Sequence, residues 1–226
     1  MDSNTHKQLD EKAADLNNGA EAASPSGESS EDPLLMKKAA DELTGQKQIK
    51  QAAEHYRTAM QRYAESGKIL SAIAAKALEL KVIKRATNKA RDIYDALRTI
   101  ASDNIPSYEF FTKMSYDELL SILQAIEVEV FPPNSIVKQP GDAEAELYFV
   151  VSGTLQETVV QGGAENSENQ ITLIENAFTG DIYPFEEDKA CAGTLTATTE
   201  VELLKIAKLD LLRLARKKYR VPLKIG

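Results

Sequence analysis

The chain has 226 residues, of which 42% are hydrophobic and 27% charged, and a formal charge of −8 at pH 7. Such a length allows one large domain or two small ones with a substantial core, and the acidic balance argues against sequence-independent nucleic-acid binding, which needs clustered Lys and Arg. The single cysteine, Cys191, excludes an internal disulfide and fits a reducing compartment; with no apolar signal-peptide run at the start and no stretch near the ~20 apolar residues of a membrane span, a cytoplasmic protein is expected.

Charge is unevenly placed along the chain. Residues 1–32 hold 2 basic and 8 acidic side chains, residues 33–103 hold 14 and 8, and residues 104–212 hold 5 and 19. The remaining basic residues are Arg213, Arg216, Lys217, Lys218, Arg220 and Lys224. The first segment is rich in Ser, Asn, Gly, Ala and Glu, with Leu9 and Leu16 as its only leucines. It offers too little apolar surface to offset ordering entropy, so residues 1–32 are expected to be a disordered leader with room for a short helix from Leu9 to Leu16. The leader is either an interaction tail or a solvated extension.

Asp32-Pro33 is a helix start, an N-cap followed by proline at the first helical position. Leu34, Leu35, Ala39 and Leu43 then recur near helical spacing up to Gly45. A second helix is predicted over 48–65, with Ile49, Ala52, Ala53, Tyr56, Ala59, Met60 and Tyr63 on one face, ending at Gly67. A third carries Ile69, Leu70, Ile73, Ala77 and Leu80, and a fourth Ala90, Ile93, Tyr94, Leu97 and Ile100. The small–aromatic–small set Ala52, Tyr56 and Ala59 resembles the second helix of a tetratricopeptide repeat. Ala52 and Ala72 are, however, only 20 residues apart, against a period of about 34 for that repeat. Residues 33–103 are therefore expected to form a tetratricopeptide-like hairpin or short bundle. Its basic residues, densest at Lys81, Lys84, Arg85, Lys89 and Arg91, form a solvated face, a contact for an acidic partner, or a surface that docks on the acidic segment that follows.

A boundary is expected at Asp103 to Ser107, which contains Pro106. Ser115 with Glu118 is a capping box opening a helix whose buried face is Leu119, Leu120, Ile122, Leu123 and Ile126. From Glu127 the period changes to 2, and eight strands are predicted: 128–131, 136–138, 147–151, 154–160, 171–174, 181–185, 194–198 and 201–206. Pro132-Pro133-Asn134-Ser135, Gln139-Pro140-Gly141-Asp142 and Ser152-Gly153 are turns. Leu147 to Val151 is nearly continuous apolar, as for a core strand, and Leu209 to Tyr219 is a final helix.

Short strands at this density predict a sandwich or jelly roll. Leu120-Ser121-Ile122-Leu123, Pro132-Pro133-Asn134-Ser135-Ile136-Val137, Pro140-Gly141-Asp142, the run Leu147 to Leu155, and Ala197 to Ile206 resemble the cyclic-nucleotide-binding domain of the bacterial catabolite-activator type, over roughly residues 107–217. The expected fold is therefore α+β and multidomain: an all-α segment, then a β jelly-roll barrel with flanking helices over residues 104–226.

The resemblance implies a phosphate-binding cassette between the sixth and seventh strands, with backbone donors, a ribose-binding carboxylate and an arginine on the phosphate. A buried phosphate needs such donors and charge. The matching stretch is Thr179 to Leu195. Aligned on Thr194-Leu195, the arginine position is Cys191, and no arginine occurs from 99 to 212. Glu186-Glu187-Asp188 would repel an anion. Gly180, Asp181, Lys189, Cys191 and Thr194 are the candidate ligand positions: Asp181 could replace the ribose carboxylate or be part of a Gly-Asp turn, Lys189 could meet a phosphate or screen its acidic neighbours, and Cys191 reads as a small buried filler.

No catalytic triad, metal cluster or glycine-rich phosphate loop stands out, and no enzyme is expected. The reading is a regulatory or interaction protein, without a cofactor, that binds a protein partner and neither DNA nor membrane. Its cyclic-nucleotide-binding-like domain has lost tight nucleotide binding. The alternative is a cyclic AMP or cyclic GMP sensor using Gly180, Asp181, Lys189 and Thr194, with the helical segment moving on binding.

Overall fold

The computed structural model describes residues 32–83, 90–99, 105–143, 145–161, 167–180 and 190–219. The leader, the strand predicted at 181–185, and Lys84, Arg85 and Lys89 of the basic cluster lie outside the described residues.

Helix α1 (Pro33–Gly45) starts as its sequence implies: the Asp32 carboxylate accepts from Leu34 N at 2.8 Å and Pro33 sits in the first turn. Helices α2 (Ile49–Glu65) and α3 (Ile69–Val82) follow through two short turns. Gly67 takes the left-handed conformation in the second turn, with φ +74°, but in the first that role falls to Lys47, with φ +63°, and Gly45 is still helical. Ala52, Tyr56 and Ala59 are all buried, and the Tyr56 hydroxyl donates to Asp41 Oδ1 at 2.6 Å.

Helix α3 is the hub of the molecule. It is buried almost all round through Ile69, Leu70, Ala72, Ile73, Ala74, Ala75 and Ala77, and it packs against α2, α4 (Arg91–Thr99), α6 (Tyr116–Ala125) and strands β1 (Glu127–Phe131) and β3 (Glu146–Ser152). Its two buried charges are matched. Lys76 Nζ donates to Glu79 Oε2 at 2.7 Å and to Asp92 Oδ2 at 2.8 Å, and Arg57 Nη2 donates to Glu79 Oε1 at 2.7 Å, so α2, α3 and α4 share one ion network.

Pro106, within the expected boundary, is the first residue of a short helix, α5 (Pro106–Thr112). The capping box is present: Ser115 N and Oγ both donate to Glu118 Oε2 at 2.8 Å, and Glu118 N donates back to Ser115 Oγ.

The remaining strands are β2 (Ile136–Lys138), β4 (Leu155–Gln161), β5 (Ser167–Leu173), β6 (Phe178–Thr179), β7 (Gly193–Ala197) and β8 (Val201–Ala207), and the chain continues into α7 (Lys208–Tyr219). They form two antiparallel four-stranded sheets, ordered β1-β8-β3-β6 and β2-β7-β4-β5. Among the described residues the two sheets form a sandwich, where a jelly-roll barrel was expected, and no closed barrel is seen. Two of its four edge strands, β2 and β6, are only three and two residues long, and prolines at 132, 133 and 140 flank β2, so these edges offer few ladder groups for pairing one sheet with the other.

The first sheet is covered on both faces, which explains the unbroken apolar run of β3. Leu147, Phe149 and Val151 pack with Leu204 and Ile206 against the helices, while Tyr148, Val150, Val201 and Leu203 face the second sheet. One apolar cluster extends from Ala59 and Met60 of α2 through α3, α4, α5 and α6 to Phe149 and on to Leu211 of α7. Helices and sheet are thus joined mainly by apolar burial. Charge attraction also contributes, where Lys37 Nζ of α1 lies 3.0 Å from Glu202 Oε1 of β8, both largely buried.

Candidate functional site

A cavity of about 320 Å³ opens between the two sheets. Its floor is set by strand register. Leu195 of β7 pairs with Lys138 on one side and Glu157 on the other, so the three side chains share one face of the second sheet and line the cavity. With one strand between them, the Lys138 and Glu157 backbones are about 10 Å apart. Tyr148 and Thr179 line it from the opposite sheet.

Three of the five predicted positions meet here: Gly180, Cys191 and Thr194 all line the cavity. Asp181 and Lys189 lie outside the described residues. Gly180 follows β6 with φ +133°, and a Cβ on it would stand 2.5 Å from Glu146 O of the neighbouring strand. Only glycine allows that approach of two backbones.

Cys191 is 9% exposed and its Sγ donates to Gly193 O at 3.0 Å. Its backbone is held by the Pro140-Gly141-Asp142 turn: Cys191 N donates to Asp142 O at 2.7 Å and Gly141 N donates to Cys191 O at 3.0 Å. The same turn is closed by Gln139 N donating to Asp142 Oδ2 at 2.9 Å. The position that the resemblance assigns to a phosphate-pairing arginine is therefore fixed in place and holds an uncharged thiol.

Sequence reasoning missed Lys138 and Glu157, the charged residues that line the cavity among the described residues. Lys138 is 6% exposed, with Nζ 5.6 Å from the centroid of the Tyr148 ring, at the outer limit of a cation–π contact. Glu157 Oε2 accepts from Thr179 Oγ1 at 3.4 Å. The alternation along β4, with Leu155 buried inward, was a signal that Glu157 shares its face. A lysine at the end of a three-residue strand gave none. Among the described residues the lining thus includes a lysine, a carboxylate, an aromatic ring and hydroxyls. Among the described residues no group of three or more His, Cys, Asp or Glu is placed to hold a metal ion, and no helix is long and apolar enough to cross a membrane.

No curated protein matches the sequence. Among solved structures, the N-terminal domain of a transcriptional regulator from Streptomyces coelicolor is 18% identical, with a TM-score of 0.43 over 52% of this chain and 84% of that one. The sensor domain of the transcriptional regulator DNR from Pseudomonas aeruginosa is 15% identical, with a TM-score of 0.43 over 55% and 80%. The C-linker/CNBHD of zELK channels is 20% identical, with a TM-score of 0.45 over 61% and 66%. Residues 128–218, which build the sandwich, the cavity and most of α7, match the family model for the cyclic nucleotide-binding domain.

Proposed function

We propose that the chain is a non-enzymatic regulatory protein whose cyclic-nucleotide-binding-like domain does not hold a cyclic nucleotide tightly and works through contact with a protein partner in the cytoplasm. The observation that carries this reading is Cys191, a buried thiol turned to a backbone carbonyl where the resemblance calls for an arginine. A cyclic phosphate in a cavity of low dielectric needs a fixed positive partner, and a bidentate guanidinium supplies far more than a neutral thiol. Glu157 in the same cavity adds a carboxylate that would oppose the anion. In this reading the tetratricopeptide-like helices of residues 33–103 and the domain of residues 104–226 act as one body, supported by the apolar cluster they share.

A second reading rests on Lys138. Its ammonium lines the cavity and could take the arginine's place toward a phosphate, giving a cyclic-nucleotide sensor. Calorimetric titration of the full chain with cyclic AMP and cyclic GMP separates the two. The first reading expects no binding tighter than roughly 10 μM, about −7 kcal/mol; tighter binding overturns it. The sensor reading then requires at least a tenfold loss of affinity in Lys138→Ala.

A further inference from the structure

The sandwich leaves one strand edge without the usual protection. β5 is the outer strand of the second sheet. It pairs with β4 along its whole length, and among the described residues nothing pairs with its other side. The other three edges are blunted: β2 and β6 are three and two residues long, and β1 carries Glu127 and Glu129 and runs into Pro132-Pro133. β5 has seven residues with Glu168 as their one charge, and no proline lies between 140 and 184. Asn169, Gln170, Ile171 and Thr172 are all exposed, Ile171 at 52%. A long edge of low charge is a template for another strand.

The ladder on the far side of β4 fixes which backbone groups of β5 are free. Thr154 O accepts from Thr198 N at 2.9 Å, and Thr158 O stands 2.7 Å from where a Cβ of Gly193 in β7 would be. Even-numbered residues of β4 thus bond toward β7 and odd-numbered ones toward β5. Glu157 pairs with Ile171 and Val159 with Asn169, so the odd-numbered residues of β5 bond inward. The N–H and C=O groups of Glu168, Gln170 and Thr172 point away from the sheet. These three positions are symmetric about Gln170. A second copy of β5, antiparallel about a two-fold axis at Gln170, sets Gln170 against itself and Glu168 against Thr172 in both directions. Each of the three is then a pair that exchanges two backbone hydrogen bonds, and no like charges face each other. Ile171 falls opposite Asn169 of the second copy and diagonal to that copy's Ile171 on the same face, within side-chain reach.

We infer that two copies of this chain associate through β5, in an antiparallel pairing centred on Gln170 that joins their four-stranded second sheets into one continuous sheet. The occupant is a second copy because the free edge is self-complementary in backbone bonding, in charge and at Ile171. One strand from each side buries less than the about 1,200 Å² of a stable interface, so the dimer is weak and its population follows protein concentration. It does not depend on what the cavity binds.

Sedimentation equilibrium of the full chain over roughly 5–500 μM tests this. The mass is expected to rise with concentration from the monomer's 24.8 kDa toward twice that value. Over the same range, amide exchange followed by NMR should slow at least fivefold at Glu168, Gln170 and Thr172, and change little at Asn169 and Ile171, which already bond β4. Gln170→Pro removes the outward N–H at the axis and leaves the β4 ladder intact. Gln170→Lys keeps that N–H and sets like charges directly opposite. Each variant should weaken association at least tenfold while leaving the far-ultraviolet circular dichroism of the monomer unchanged. A mass that stays at the monomer value, association that survives either variant, or slowed exchange that spares Glu168, Gln170 and Thr172 overturns the inference.

Discussion

The ion network beneath α3 gives the sharpest test of how the helical layer is held. Lys76 and Glu79 side chains are 3% and 4% exposed and meet at 2.7 Å. At an effective dielectric of 20, unit charges 2.7 Å apart attract by about 6 kcal/mol, but burying them costs several kcal/mol per ion. The intact pair is therefore close to neutral for stability, whereas removing one partner leaves a buried charge at a cost of about 3–5 kcal/mol. Lys76→Met should fall near the lower end, about 3 kcal/mol, because Arg57 Nη2 remains 2.7 Å from Glu79 and Asp92 is partly exposed. Glu79→Leu should cost a similar amount, since Lys76 keeps Asp92. The double variant Lys76→Met/Glu79→Leu fills the site with apolar groups and leaves only Arg57 and Asp92, which water can reach. It should lose no more than either single variant, a departure from additivity of about 3 kcal/mol. Urea unfolding followed by circular dichroism measures all four proteins of the cycle; the chain has no tryptophan to report on the change. A loss below about 1 kcal/mol in Lys76→Met, or a double variant equal to the sum of the singles, would refute the reasoning.

Two further predictions concern the sheet. Gly153 has φ +85°, and a Cβ there would lie 2.2 Å from Glu200 O and 2.9 Å from Val201 Cα, both backbone atoms. Gly153→Ala should therefore cost about 3 kcal/mol through left-handed strain and overpacking, seen as a drop of roughly 10 °C in Tm; a shift under 2 °C would contradict the close approach. Tyr63 is buried where the Glu202 and Asp32 carboxylates add to the effect of burial, and its hydroxyl is pushed up to about 12 from its ordinary 10.0. The raised value favours the neutral phenol in the folded state, so this contribution is complete below pH 10 and is lost as the pH climbs toward 12. Tyr63→Phe should remove that part of the alkaline limb: the stability gap between the two proteins should change by about 1 kcal/mol between pH 9 and pH 11, and a constant gap would count against the assigned environment.

Much of the helical layer and the centre of the sandwich could be read from the sequence because the signals are local. Asp32-Pro33 and Ser115–Glu118 act within one helical turn, and the apolar run of β3 needs no partner to be recognised. Where local signals are weak, the sequence was silent. Helix α5 is seven residues long, with Phe110 and Phe111 adjacent, so it offers no period. Strand β6 is two residues, and β5 begins at Ser167, four residues before its apolar part, because pairing with β4 rather than hydrophobic pattern extends it. Gly45 was expected to stop the first helix and is its last residue, while the left-handed conformation of the turn, with its closing bond from Gln48 N to Leu43 O at 2.8 Å, falls at Lys47.

The same division runs through the site. The amino-acid sequence by itself, through its resemblance to a family, aligned Cys191 with the position for which that resemblance implies a phosphate-pairing arginine and picked out Gly180, Cys191 and Thr194, because such an alignment depends on residue identity and order. Only the tertiary structure decided that Lys138 and Glu157 face the cavity. Lys138 ends a three-residue strand with no alternation to orient it, and Glu157, which shares the face of the buried Leu155, has a cavity to face only once the two sheets are stacked. The choice was made by pairing both with Leu195, which lies 38 residues beyond Glu157 and 57 beyond Lys138 in the chain. A one-residue change in either register would turn the charge out to solvent, and although the alternation along β4 gives the face of Glu157, nothing near Lys138 or Glu157 names the strand each pairs with.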